Sequence, residues 1–280
     1  MILGFLGKGG SGKSSVATQT ALFTQQEGKM VLAIDADHNM DLSYNLTAGV
    51  DPDIHYFSES LAELQAAVGL TDRQKYSEAF LQTVTHRFTL HPLSPEIAKY
   101  STILKRGIRL MTAGPQTDEV LYGQKCSHSL ATPLKILLPL LELKQNEVAI
   151  VDEKAGADGV STGIVTGIDV GIIVCEPSLH SIKAAKQITK LMDFYNTPYV
   201  FVGNKVTSSE DKEFITQELG REPVVFLMES NGVKRNPSMA VDEWKLDLQD
   251  ILHEAANITQ NNRLERTMNK FQRNQEFSHA

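Results

Sequence analysis

Cysteine is nearly absent: among 280 residues only Cys126 and Cys175 carry a thiol. A disulfide framework is thereby excluded, and a reducing compartment, the cytoplasm, is the expected setting. No apolar run approaches the ~20 residues that a membrane-spanning helix needs, and a buried strand expected from Ile2 onward leaves no room for a signal peptide. Positive charge is also short. Lys and Arg number 27 against 34 Asp and Glu, a formal net charge of −7, so a general affinity for nucleic-acid backbones is not expected. Internal repeats and low-complexity tracts are missing, and neither a catalytic triad nor a glycosidase carboxylate pair can be argued from spacing.

What the chain does have is GKGGSGKSS, Gly7 to Ser15, set between the apolar run 2–6 and an amphipathic run 16–26. Strand, turn and helix in that order, with GxxxxGK[ST] satisfied at Gly7, Gly12, Lys13 and Ser14, describe a loop whose backbone N–H groups cradle phosphates at a helix N-terminus. Gly7, Lys8, Gly9, Gly10, Ser11, Gly12, Lys13, Ser14 and Ser15 are the candidate nucleotide-binding residues. Lys13 is expected to reach the β- and γ-phosphates of ATP, and the Ser14 hydroxyl to ligate Mg²⁺.

Apolar segments over 30–34, 87–90, 107–111, 147–151, 169–175, 198–202 and 223–227 read as strands. Helical patterns fall over 131–143, 180–195, 246–258 and 262–272. Buried strands alternating with helices imply an α/β fold, a three-layer, doubly wound, mostly parallel sheet with helices on both faces. The expected organisation is one domain over 1–280, with a helical insertion at about 51–93 and a helical tail at about 246–272. In the insertion, Leu61, Leu64 and Val68 share one helix face and Tyr76, Phe80 and Val84 another.

Carboxylates cluster where such sheets bind ligands, at the carboxyl ends of strands. Strand 30–34 delivers Asp35, Asp37 and Asp41; Asp41 either faces the loop or caps the following helix. Strand 147–151 delivers Asp152 followed by Gly156, an arrangement in which Asp152 holds Mg²⁺ through water and the glycine moves as the γ-phosphate departs. Cys175, ending an apolar strand, reads as core. Asn204, at the end of strand 198–202 and followed by Lys205, is placed to read the adenine edge or to form an Asx-turn. Cys126 and His128, two residues apart, are competent ligands for a late divalent metal. Two chains meeting about a twofold axis would supply a four-ligand site, whereas a free cysteine beside a surface histidine is the plainer alternative.

The second lysine of KGGxGK[ST] makes the loop resemble the deviant Walker A ATPases, the group of nitrogenase iron protein, MinD, ParA and metallocentre-insertion ATPases. The resemblance implies that Lys8 crosses a homodimer to the partner's nucleotide, and that Asp37 orients or deprotonates the attacking water and supports Mg²⁺ through water. From 88–92 through Gly107, Gly114, Gly123 and Cys126, and again at 152–156 and Asn204-Lys205, the chain resembles the CooC family of nickel-insertion accessory ATPases for carbon monoxide dehydrogenase. That family has CxC where this chain has Cys126-Ser-His128, and Asp-Met-Glu-Ala-Gly where it has Asp152-Glu-Lys-Ala-Gly156. This second resemblance implies an ATP-hydrolysing dimeric metallochaperone holding Ni²⁺ or Zn²⁺ at Cys126 and His128, with a carbon monoxide dehydrogenase type enzyme as client. The rivals are a MinD- or ParA-like spatial-organisation ATPase acting on a membrane or DNA, and an electron-transfer ATPase like nitrogenase iron protein. The latter requires two cysteines per chain at an interface. The face of Leu264, Met268 and Phe271, with Arg266, Lys270 and Arg273 nearby, is too thinly apolar to favour membrane docking and is expected to pack on the domain or a partner.

Overall fold

The computed structural model describes residues 1–50, 53–71, 74–116, 118, 122, 130–161, 163–235, 237 and 241–278. Its centre is an eight-stranded sheet. The strands are β1 (Ile2–Gly7), β2 (Met30–Asp35), β3 (Phe88–Thr89), β4 (Thr102–Ile103), β5 (Arg109–Thr112), β6 (Leu141–Glu142), β7 (Glu147–Asp152), β8 (Val170–Cys175), β9 (Tyr199–Val206) and β10 (Val225–Met228). The sheet order is β10-β9-β8-β1-β7-β2-β5-β4, while β3 and β6 form a separate two-stranded pair. All pairings in the large sheet are parallel except the edge pair β4 and β5.

Helices cover both faces, which is why β1, β7 and β8 are buried along their whole length. Alternation along β1 divides the core. Leu3 and Phe5 join Val16, Ala17 and Ala21 of the helix Lys13–Gln26 and Leu248 and Ile251 of the helix Lys245–Ile258. Ile2 and Leu6 join Ile182, Ala185 and Ile188 of the helix Leu179–Phe194. The run 16–26, read as amphipathic, is instead buried almost all round, because it lies between the sheet and the helices Asp41–Leu46 and Lys245–Ile258. Two of its inward hydroxyls are satisfied within the helix: Thr18 donates to the Ser14 carbonyl at 2.7 Å and Thr20 to that of Val16 at 2.8 Å, whereas the buried Thr24 hydroxyl has no partner among the described residues.

The insertion adds the helices Leu61–Ala67 and Glu78–Thr83, whose Leu64 and Leu81 are buried. Leu64, Val68, Val84 and Phe88 belong to the same buried cluster as Ile2 and Leu6. Tyr76 lies outside the second helix, which is capped by Ser77 accepting from Phe80 N. The helix expected over 131–143 is a correction. The structure has only Leu134–Leu137, followed by turn and then β6. Pro139 is the cause, since it has no N–H for the Lys135 carbonyl four residues earlier. That carbonyl accepts from the Tyr76 hydroxyl at 2.6 Å instead.

The helix Arg263–Ser278 packs on the chain itself and turns basic residues inward. Arg263 donates to Asp169 Oδ1 at 2.5 Å and to the Leu141 carbonyl at 2.6 Å, and Arg266 donates to the Ile168 carbonyl. Thr267 and Thr166 hydroxyls meet at 2.9 Å, and Phe271 stands edge-on to Tyr76 with ring centres 5.9 Å apart. The other oxygen of Asp169 accepts the Ile2 N–H at 2.7 Å, so one carboxylate clips the first strand to the last helix. Among the described residues no helix is long and apolar enough to cross a membrane.

Replacing Tyr76 by Phe leaves the Lys135 carbonyl without a donor in a half-buried setting. The expected loss is about 1–2 kcal/mol of unfolding free energy in urea denaturation, with ATP binding retained.

Candidate functional site

β1 delivers Gly7 to the middle of the sheet, between β7 and β8, at the point where the order of the strands reverses. Two glycines of the loop have no room for a side chain. A Cβ on Gly7 would lie 2.6 Å from the Val174 carbonyl oxygen, and one on Gly12 would lie 2.2 Å from Asn204 Nδ2, at a backbone φ of 89°. The helix Lys13–Gln26 begins directly after Gly12, so its free N–H groups open onto the loop.

Lys13 is 5% exposed. Its ammonium lies 3.3 Å from Asp152 Oδ1 and 3.6 Å from Asp37 Oδ2, and 3.4 Å from the Ser14 hydroxyl. Burial disfavours the Lys13 charge, yet Asp152 and Asp37 outweigh burial and hold its pKa above the ordinary lysine value. Asp152 is fully buried. Burial raises its pKa despite the Lys13 charge, and its Oδ2 has no hydrogen-bond partner. A partnerless carboxylate oxygen beside a serine hydroxyl and a second carboxylate is an all-oxygen donor set that suits Mg²⁺.

The structure gives a role to a carboxylate that the sequence pattern left without one. Asp35 stands opposite Asp152 in the β2–β7 register. It accepts the Ser43 N–H at 2.7 Å and the Asp37 N–H at 3.3 Å, so Asp35 fixes both the helix Asp41–Leu46 and the approach to Asp37. Burial first, then Asp152, pushes its pKa up to about 8. The signal was available: an Asp can accept the N–H of the residue two places on, as Asp35 does from Asp37 just after the strand ends. Asp41 is exposed in the first turn of that helix and makes no hydrogen bond or ion pair among the described residues, so the helix N-terminus is served by Asp35 rather than by its own first residue. Glu153 is buried after Asp152; burial, then Asp152, pushes it up to about 8. The Gly156 N–H donates to the Gly7 carbonyl at 2.8 Å, which ties the Asp152 loop to the phosphate loop.

On the β8–β9 side, Lys8 Nζ lies 3.5 Å from Glu176 Oε1, and Lys205 Nζ lies 2.9 Å from Glu176 Oε2. Burial alone would raise the Glu176 carboxyl; Lys205 and Lys8 outweigh burial and hold it below the ordinary value. Asn204 donates through Nδ2 to the Ser11 carbonyl at 2.8 Å, and Lys205 donates to the Gly10 carbonyl. Glu176 was another residue without a motif to announce it, because its partners come from separate strand ends. Cys175 is buried and its thiol is pushed up to about 12, in keeping with a core role. Cys126 and His128 lie outside the described residues. Among those described, no group of three or more His, Cys, Asp or Glu could hold a metal ion.

The chain has relatives among known proteins. A family model described as the CobQ/CobB/MinD/ParA nucleotide binding domain matches residues 3–274. The carbon monoxide dehydrogenase accessory protein CooC of Rhodospirillum rubrum is 28% identical over 216 residues, covering 77% of this chain and 78% of that protein. An uncharacterised ATP-binding protein of Methanocaldococcus jannaschii is 27% identical over 253 residues, 90% of this chain and 96% of that one. In fold, the chain is similar to the septum site-determining protein MinD of Pyrococcus horikoshii, solved with Mg-ADP. The TM-score is 0.60 and the identity 16%, over 92% of this chain and 94% of that one. A ParA family ATPase of Chlorobium tepidum gives a TM-score of 0.55 at 21% identity, over 91% and 97%.

Glu153 makes stability pH-dependent in a definite direction. Its folded pKa of about 8 exceeds the ordinary 4.5, so the folded state binds more protons between these values and stability falls as pH rises through that window. Glu153→Gln should remove up to one proton from that slope, about 1.4 kcal/mol per pH unit at most. Urea midpoints of nucleotide-free, chelator-treated protein from pH 5 to 9 measure it; an unchanged slope refutes the assignment.

Proposed function

The chain belongs to the CobQ/CobB/MinD/ParA nucleotide-binding family of P-loop ATPases, and from that premise we propose that it is an ATP-driven dimeric metallochaperone delivering nickel during maturation of a carbon monoxide dehydrogenase type enzyme. The observation that carries the ATP-driven part is the Lys13 ammonium held between Asp152 and Asp37 at the phosphate loop. The metal-handling part is supported by the likeness to CooC of Rhodospirillum rubrum across three quarters of the chain and by Cys126 and His128, which supply soft and borderline ligands two residues apart.

In this reading ATP lies with its phosphates on residues 7–15, and Lys13 moves from its two carboxylates to the β- and γ-phosphate oxygens. Ser14, with Asp37 and Asp152 through water, would hold Mg²⁺, which would supply charge neutralisation at the phosphates. Asp37 positions the attacking water. Lys8 leaves Glu176 to reach the partner chain's nucleotide, so occupancy of both sites closes the dimer. Departure of the γ-phosphate releases Gly156 and the segment after it, and the dimer relaxes. Cys126 and His128 from each of two chains bind one Ni²⁺ or Zn²⁺, and the cycle times its release to the client. A membrane-directed role has less support, because the helix Arg263–Ser278 spends Arg263 and Arg266 on contacts within the chain.

Purified protein loaded with Ni²⁺ and Mg-ATP should hold about one metal ion per two chains, and both Cys126→Ala and His128→Ala should lose it while hydrolysing ATP. Elemental analysis measures this, and metal content unchanged in both variants sinks the metallochaperone reading. Separately, Lys8→Ala should abolish ATP-dependent dimerisation seen by analytical ultracentrifugation; a variant that dimerises as the parent does refutes the role of Lys8 across the interface.

A further inference from the structure

Two carbonyls of the phosphate loop are gripped from outside by consecutive residues at the end of β9. Asn204 Nδ2 donates to the Ser11 carbonyl at 2.8 Å, and Lys205 Nζ donates to the Gly10 carbonyl. Asn204 is 3% exposed. One N–H of the amide that was expected to meet an adenine edge is thus held by the loop, so closely that a Cβ on Gly12 would collide with its nitrogen; the amide has a second N–H and an oxygen besides.

The consequence for the loop comes from peptide geometry. A trans peptide is planar, so a carbonyl and the N–H of the next residue point in opposite directions. Fixing the Ser11 carbonyl on Asn204 turns the Gly12 N–H to the other side of its peptide. Fixing the Gly10 carbonyl on Lys205 does the same for Ser11, whose N–H meets the Lys8 carbonyl at 3.1 Å. These two peptides lead directly into the helix Lys13–Gln26, whose first N–H groups are the anion-binding surface. The grip therefore sets the shape of the cradle and touches no phosphate itself.

Lys205 is unusual in its own backbone. Its φ is 57°, the left-handed region that L residues other than glycine adopt rarely. A lysine kept there, with its ammonium shared between Gly10 and Glu176, marks a position where the side chain matters more than local backbone comfort. Glu176 also holds Lys8 at 3.5 Å, so the same ammonium is one step removed from the second loop lysine.

We propose that Asn204 and Lys205 are positioning residues that hold residues 10–12 of the phosphate loop in their anion-binding shape, with Lys205 also setting Lys8 through Glu176. The proposal rests on nucleotide binding by the family and is independent of metal delivery. It requires that every ligand engaging the loop through its phosphates, with or without a base, lose affinity when either side chain is removed.

The test is calorimetric binding of Mg-ATP, Mg-GTP and Mg-tripolyphosphate to the full chain and to Asn204→Ala, Lys205→Gly and Lys205→Arg. Asn204→Ala and Lys205→Gly should weaken all three ligands, the base-free tripolyphosphate included, by about tenfold or more. Lys205→Arg should restore most of the affinity, since a guanidinium still donates to the Gly10 carbonyl. Lys205→Gly separates positioning from folding: glycine accepts a φ of 57° without strain, so its Tm should equal or exceed the parent's while affinity falls. Loss confined to ATP, with tripolyphosphate unchanged, would return Asn204 to the base and overturn the proposal. So would Lys205→Gly binding all three ligands as the parent does, or losing affinity only in step with Tm. A parent that binds none of the three removes the premise and the proposal with it.

Discussion

The structure depends on one buried ammonium among carboxylates. Lys13 is flanked by Asp152 and Asp37, while Asp35 and Glu153 lie close enough for Asp152 to raise both their pKa values. Taking charges out of water is expensive, and one cation cannot balance four carboxylates. Protonation of the more deeply desolvated groups is how the nucleotide-free chain limits the imbalance. A ligand that brings a divalent cation as well as an anion suits such a site better than a bare phosphate does. The cation relieves the carboxylates while the phosphates take Lys13, so the two halves of Mg-ATP answer two different deficits.

That concentration of charge is tolerable because the sheet places it at one end. The parallel strands β2 and β7 end at the same level and β1 runs on past them to Gly7, the register putting Phe5 and Asp35 beside Asp152. Apolar side chains fill the strands below these ends, leaving polar residues only where helix N-termini and loops can meet them. The same end carries β8 and β9, whose Glu176, Asn204 and Lys205 support the loop from the other side. The loop is thus held by carboxylates along one flank and by donors along the other.

Much of this was legible in the sequence for a local reason. The loop glycines, Lys13, and the continuous apolar strands ending in Asp152 and Cys175 are short-range patterns that need no tertiary knowledge. The features that escaped depend on distant partners. The segment 131–143 has helical composition, but Pro139 ends the helix and its continuation pairs with β3 as β6. Asp35 looked like one more acid in a cluster until Ser43 folded back onto it. The hold of Asn204 on the Ser11 carbonyl depends on the packing of β9 against the loop, which no local pattern announces. The run 16–26 has polar residues at positions that an exposed face would use, yet Thr18 and Thr20 satisfy themselves on the helix backbone and so can be buried.

Asp169 has a consequence for how the molecule comes into being. It accepts the Ile2 N–H across 167 residues and also takes Arg263 from the last helix. β1 has no hydrogen-bonded neighbour in the sheet until β7 and β8 exist. The phosphate-loop sequence is therefore synthesised before either strand that flanks its own, β7 or β8, has been made. During that interval the apolar strand can pack on the helix Lys13–Gln26 but has no hydrogen-bonded neighbour in the sheet, and the loop lacks Asp152. The loop that defines the protein's chemistry thus precedes the strands that give it its shape, a sequence of events that favours shielding of the nascent chain until β8 has emerged.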